Sequence, residues 1–257
     1  MSRRAPATSV FEACGLSDVG LSRPNNEDVW GEIEELNFFV LADGMGGHRA
    51  GEVASREAVS FLLEGVKNSF LNKTLDLVES EKELASIIRQ VNKEVFKLSK
   101  KEPEYKGMGT TLSCLMLRDT GALVANVGDS RVYRFRNQKL QLLTRDDSLL
   151  RELIDLGQIT EQSNDFAYKN IITKAVGTEA KLEPSMTKLD LKTNDLFLLT
   201  TDGLTDLIQF TELESLMVHA SSVESLCLKL IEIAKGRGGY DNMTALVVRY
   251  KGNDISR

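Results

Sequence analysis

Apolar positions along the chain keep two different rhythms. Phe38-Phe39-Val40-Leu41-Ala42 is a short apolar run bounded by Asn37 and a glycine cluster, the pattern of a buried strand ending at Asp43. From about Ala50 the period turns helical: Ala54, Ala58, Phe61 and Leu62 share one face, and Leu84, Ile87, Ile88, Val91, Val95 and Leu98 repeat that spacing in a second helix. Strands return over 110–143. Thr-Leu-Ser-Cys-Leu-Met-Leu leads to a turn at Arg118-Asp119-Thr120-Gly121 and then to Ala-Leu-Val-Ala-Asn-Val, and 131–135 and 139–143 flank Arg136-Asn137-Gln138 as a hairpin. A short helix around 149–156, a polar segment through Asn170, a strand at 196–200, an amphipathic helix through Val223, Leu226, Cys227, Leu230, Ile231 and Ala234, and a strand at 243–250 complete the reading. Meanders without a regular strand-helix-strand alternation predict an α+β fold, with antiparallel sheets and helices on their outer faces. No linker, repeat or charge block divides the chain, so one domain is expected over 1–257.

Composition narrows the function. With 257 residues, 42% of them hydrophobic and only 4 prolines, the chain is expected to bury a sizeable core, which sets disorder and fibrous repeats aside. The balance of 38 acidic against 32 basic residues, a formal charge of −6, argues against nucleic acid as the main partner. Cys14, Cys114 and Cys227 are odd in number, far apart and without C-x-x-C, which points to free thiols in a reducing compartment. No apolar leader follows Met-Ser-Arg-Arg-Ala-Pro and no run approaches the ~18 apolar residues of a membrane span, so a soluble, cytoplasmic protein without a membrane partner is expected.

Candidate chemistry sits at strand ends. Asp43, Asp129 and Asp202 each follow an apolar run, and Asp241 precedes one. Taken singly, each reads equally well as a turn residue, since three of them stand beside glycine. Gathered at one sheet edge they would repel each other unless divalent cations lay between them, and an oxygen-only donor set favours Mg²⁺ or Mn²⁺ over zinc. Arg23-Pro-Asn-Asn-Glu-Asp28 reads either as an exposed, salt-bridged turn or as a guanidinium placed to grip a phosphoryl group. The glycine-rich link after Asp43 matches neither nucleotide-binding pattern, and its glycines are better suited to a close backbone approach.

Arg23-x-x-Asn-Glu-Asp28, Leu41-Ala-Asp-Gly-Met-Gly-Gly-His-x-Ala-Gly-Glu52, Gly107-Met-Gly-Thr-Thr111, Val127-Gly-Asp-Ser-Arg131, Leu199-Thr-Thr-Asp-Gly-Leu204 and Gly238-Gly-Tyr-Asp-Asn-Met-Thr244 occur in the order seen in metal-dependent Ser/Thr protein phosphatases of type 2C. The chain resembles the bacterial branch of that family from about Phe11 to Tyr250. The resemblance implies two antiparallel β-sheets packed face to face with helices on both outer faces, a four-layer α/β/β/α sandwich, with a core of about 11–250 and a variable flap of about 145–170. It implies hydrolysis of phosphoserine and phosphothreonine on proteins by a water bridging two Mn²⁺ or Mg²⁺ ions, with no phosphoenzyme. Asp43 resembles the bridging ligand, with the Gly44 carbonyl on one metal. Asp202 and Asp241 resemble the other ligands of the first metal, and Asp129 with Asp202 resembles the holder of a third, weaker ion found in many members. Glu27 and Asp28 match positions that hold metal-bound waters, Asn242 stands with them behind the direct ligands, and Arg23 matches the phosphate-binding arginine. A monomer acting on phosphoproteins, a Ser/Thr kinase among them, is the partner picture it implies.

Two departures from the family pattern stand out. Met45 fills the slot where the eukaryotic branch carries a histidine proposed as general acid. His48, three residues on, is then the nearby candidate for a proton donor, against the plainer reading of a helix-start histidine that packs or hydrogen-bonds. The second departure is Leu143-Thr-Arg-Asp-Asp-Ser148, where relatives often carry Asp-His, at the start of the flap. Trp30 and Phe38 are expected in the core, Ser130 and Arg131 in local turn contacts, His219 on the surface and Lys97 to Lys101 at a solvated helix end. With only two histidines, a nucleophilic Thr110 or Thr111 lacks a base. The competing functional readings are an inactive, metal-poor relative serving as a regulatory binding module, and a two-metal hydrolase of another phosphoester such as a nuclease.

Overall fold

The computed structural model describes residues 10–46, 50–160, 168 and 171–252. Its strands are β1 Phe11–Asp18, β2 Asp28–Ile33, β3 Phe38–Met45, β4 Gly109–Thr110, β5 Leu112–Arg118, β6 Gly121–Val127, β7 Arg131–Arg136, β8 Lys139–Leu142, β9 Ser185–Leu189, β10 Leu196–Thr200 and β11 Met243–Tyr250. The helices are α1 Ala50–Phe70, α2 Leu77–Lys101, α3 Leu149–Asp155, α4 Asp202–Thr205, α5 Phe210–Val218 and α6 Val223–Gly236. One sheet runs β1-β11-β10-β7-β8 and the other β2-β3-β5-β6-β9, with β4 paired to the end of β3, and the pairs between neighbours are antiparallel.

Side-chain alternation along the central strands builds four layers. Phe39 and Leu41 of β3, Leu115 and Leu117 of β5, Phe197 and Leu199 of β10 and Leu246 and Val248 of β11 form one cluster between the sheets. Their neighbours Phe38, Val40 and Ala42 point the other way, onto α1 and α2 through Ala54, Ala58, Leu62, Leu84, Ile88 and Val91. Leu196, Leu198, Ala245 and Val247 face α6 and α5 through Leu226, Leu230 and Leu213. Burial on both faces is why the inner strands read as unbroken apolar runs and not as alternation. Among the described residues no helix is long and apolar enough to cross a membrane.

The structure extends the sequence reading in two places. β3 does not stop at Asp43, because Gly44 and Met45 pair with Thr110 and Gly109. β1, β2, β9 and α5 carry no pattern that the sequence reading singled out. The three strands lie at sheet edges, where polar residues interrupt the apolar positions.

Candidate metal centre

Strand register sets the first two carboxylates. Asp28 at the start of β2 lies directly opposite Asp43 on β3. The Asp43 backbone is pinned: its N–H donates to Thr111 Oγ1 at 2.9 Å, and its carbonyl accepts from Thr111 N at 2.8 Å and Thr110 Oγ1 at 2.9 Å. Gly44 follows in a slot with no room for a side chain, since a Cβ there would stand 2.1 Å from the Gly51 carbonyl oxygen. The glycine lets the start of α1 close over the strand end. Glu27 lies in the same place, its carboxylate against the Gly51 backbone in the first turn of α1.

The other sheet contributes through loops brought together by close packing, and the link between β6 and β7 joins them from between the sheets. A Cβ on Gly203 would fall 2.0 Å from the Asn242 carbonyl oxygen, so only glycine lets Asp202, the first residue of α4, sit beside the loop that carries Asp241. Asp129 leaves β6 at a turn where Gly128 has φ +97°. Thr111 Oγ1 meets Ser130 Oγ at 2.7 Å and ties that turn to the junction of β4 and β5. The hydroxyls of Thr110 and Thr111 thus hold the Asp43 backbone, while that of Ser130 meets the Thr111 hydroxyl.

Electrostatics show how near the carboxylates are. Burial first, then Asp28, Asp202, Asp129 and Asp241, raise the Asp43 carboxyl well above the usual carboxylate range. Asp28 is pushed up to about 7, by burial and then by Asp202 and Asp241, against the Thr244 and Thr201 hydroxyls that donate to its Oδ2 at 2.7 and 2.9 Å. Asp129 is pushed up to about 7 by burial, Asp202 and Asp146. A carboxylate cluster that resists ionisation is one that a cation would stabilise. Asp28 Oδ1 is buried without a hydrogen-bond partner, and every donor here is oxygen, which fits a hard divalent ion. Among the described residues no group of three or more His, Cys, Asp or Glu side chains is set to hold a metal as it stands. Asp241 is turned instead to Arg23, whose Nη2 donates to Asp241 Oδ2 at 2.7 Å.

Burial alone would lower the Arg23 pKa, but Asp241, Glu27 and Asp43 outweigh it and keep the guanidinium charged. Asn242 binds backbone on both sides of the Arg23 loop. Its Nδ2 donates to the Val19 and Asn25 carbonyls at 3.0 Å each, and its Oδ1 accepts from Glu27 N at 2.8 Å, so it staples the loop bearing Arg23 to β11. The Met45 methyl lies 3.0 Å from where a Cβ on Gly109 would stand. His48 lies outside the described residues. A cavity of about 40 Å³, room for an ion or a water or two, opens between Asp129, Asp146, Asp202 and Asp206. Sequence reasoning missed Thr201 and Thr244 as supports of Asp28, although both sit inside motifs it quoted.

The family model described as Protein phosphatase 2C matches residues 24–243. Serine/threonine phosphatase stp of Listeria monocytogenes serotype 4b is 38% identical over 248 residues, spanning 93% of this chain and 98% of that protein. The crystal structure of serine/threonine phosphatase Stp1 from Staphylococcus aureus superposes with a TM-score of 0.86 at 32% identity, covering 98% of this chain and all of the other. The catalytic domain of the serine/threonine protein phosphatase PstP, solved with two manganese ions, gives a TM-score of 0.81 at 32% identity over 93% of this chain and 98% of its own.

Proposed function

The chain belongs to the protein phosphatase 2C family, and from that premise we propose how its own residues divide the work of phosphomonoester hydrolysis. It is a metal-dependent protein-serine/threonine phosphatase. Asp43, the Gly44 carbonyl, Asp202 and Asp241 would hold two Mn²⁺ or Mg²⁺ ions, and Asp129 with Asp202 would hold a third. When bound, such ions act as Lewis acids and lower the pKa of water toward ~7. Glu27 and the free Oδ1 of Asp28 hold and orient water at the edge of the site. Arg23 swings from Asp241 to grip the phosphoryl oxygens, a bidentate match that Lys would not give. Met45 has no proton to donate, so the leaving seryl or threonyl oxygen takes one from water. No phosphoenzyme forms on Thr110 or Thr111, whose hydroxyls hold the Asp43 backbone.

The observation that carries this reading is the gathering of Asp28, Asp43, Asp129, Asp202 and Asp241 from both sheets at one place, where burial first and then the other four carboxylates raise the Asp43 carboxyl. The regulatory-module alternative gains nothing, since every one of those carboxylates is retained. The same reading takes the chain as one catalytic domain with its flap at about 145–170. It acts as a cytoplasmic monomer on phosphoproteins, a Ser/Thr kinase among them, and three free thiols are compatible with that compartment. Purified protein is expected to hydrolyse a phosphothreonine peptide with Mn²⁺, to stop in EDTA and to leave an oligonucleotide intact. Asp43→Asn and Asp202→Asn are each expected to lose more than about 100-fold in rate, beyond the range found for residues one layer behind a metal. Undiminished turnover in chelator would sink the metal assignment.

A further inference from the structure

Asp146 and Asp147 open the flap, and both reach back to the turn that carries Asp129. Arg131 holds Asp146 in a fork, with Nε at 3.0 and 3.1 Å and Nη2 at 2.6 Å. Asp147 does more. Its N–H donates to the Gly128 carbonyl at 2.9 Å, and its Oδ2 accepts from Gly128 N at 3.1 Å. Its Oδ1 accepts from Lys174 Nζ at 2.9 Å, and its own carbonyl accepts from Thr173 N at 2.8 Å. Segment 171–174 is thereby laid against 147–149, with Leu149 N donating to the Ile171 carbonyl at 2.8 Å and Ser148 bridged to Ile172. The Asp147 side chain is 7% exposed and that of Lys174 38%.

We propose that Asp147 and Lys174 are positioning residues for Asp129, tying both described roots of the flap to the Gly128 turn so that its carboxylate is held ready for a cation. The proposal rests on the reading of Asp129 as a metal ligand. On the far side the turn packs closely on Thr111, where a Cβ on Gly128 would stand 2.7 Å from the side chain. On the near side the Gly128 N–H is held by a carboxylate whose charge is matched by Lys174. Remove that ammonium, and a buried, uncompensated carboxylate has to turn to water, which releases the Gly128 N–H and loosens the turn, leaving it only the backbone bond from Asp147 N. Groups that orient a ligand from behind typically change metal affinity by about 10- to 100-fold when lost.

The test is Lys174→Met, with Asp147→Asn as a second variant and Lys174→Arg as the conservative control. Mn²⁺ binding is read by titration calorimetry and, separately, as the Mn²⁺ concentration for half-maximal phosphopeptide hydrolysis. For Lys174→Met and Asp147→Asn, the weaker class of Mn²⁺ sites is expected to lose about 10-fold in affinity and the half-maximal concentration to rise in step. The rate at saturating Mn²⁺ should stay within a few-fold of the parent, and Lys174→Arg should restore the parent titration. Unchanged calorimetric binding in folded Lys174→Met overturns the proposal, as does a lower saturating rate at unchanged Mn²⁺ dependence. A parent protein that binds no Mn²⁺ overturns the metal reading itself, a separate outcome.

Discussion

No single residue announced the site, since each aspartate alone reads equally well as a turn residue. Only four of them beside apolar runs, where a carboxylate needs a partner, together with the ordered motifs drew attention to Arg23 and the cluster. The supports were not legible. Asp28 is held by hydroxyls 173 and 216 positions away in the chain, and no local pattern announces such a pair. Asn242 likewise binds a loop more than two hundred residues earlier, through carbonyls that any sequence supplies. At this scale Arg23→Ala is expected to lower kcat/KM for a phosphopeptide by about 10- to 100-fold, the worth of one or two hydrogen bonds from a charged group. Much of the loss should appear in KM, with Mn²⁺ binding retained. Phosphopeptide kinetics together with calorimetry check both halves, and a variant with unaltered kcat/KM removes Arg23 from the site.

Among the elements, the strands buried on both faces were read directly, while β1, β2 and β9 escaped because edge positions admit polar residues that break the rhythm. The extension of β3 to Met45 depends on the two-residue β4, which is too short to leave a periodic trace. α4 is a single turn whose importance lies in Gly203, where the nearest foreign atom would stand 2.0 Å from a Cβ. Gly203→Ala forces Asp202 and the Asp241 loop apart. A loss of about 1–3 kcal/mol in stability is expected from the overpacking alone. Catalysis at saturating metal should fall further than that instability explains, as urea titration beside Mn²⁺-dependent hydrolysis would reveal. A variant that is stable and fully active would mean that the approach of α4 to β11 is not required.

For the molecule as a whole, the carboxylate cluster links folding to both protons and cations. Asp28 and Asp129 titrate near 7 in the folded chain against an ordinary value of 3.8, and Asp43 is raised as well. Between about pH 4 and 7 the folded state therefore keeps protons that the unfolded chain has released, and stability contributed by these groups is lost as pH rises through that window. In EDTA the melting temperature is expected to fall by about 5 °C or more from pH 5 to pH 8, while Mn²⁺, competing with those protons, should raise it more at pH 8 than at pH 5. Thermal melts at the two pH values, with and without Mn²⁺, check the sign. A rise in EDTA across that range contradicts the assignment.

β11 is the last described strand in the chain, yet it lies inside its sheet, hydrogen-bonded to β1 on one side and β10 on the other. The loop just ahead of it brings Asp241 and Asn242, so a growing polypeptide carries neither the last acid of the cluster nor the staple for the Arg23 loop until more than two hundred residues after Arg23 have been made. Pairing β1 with β11, more than two hundred residues apart, is also among the slowest kinds of contact to make. A nascent phosphatase of this design stays silent toward its surroundings until the strand that closes the sheet has slipped into place.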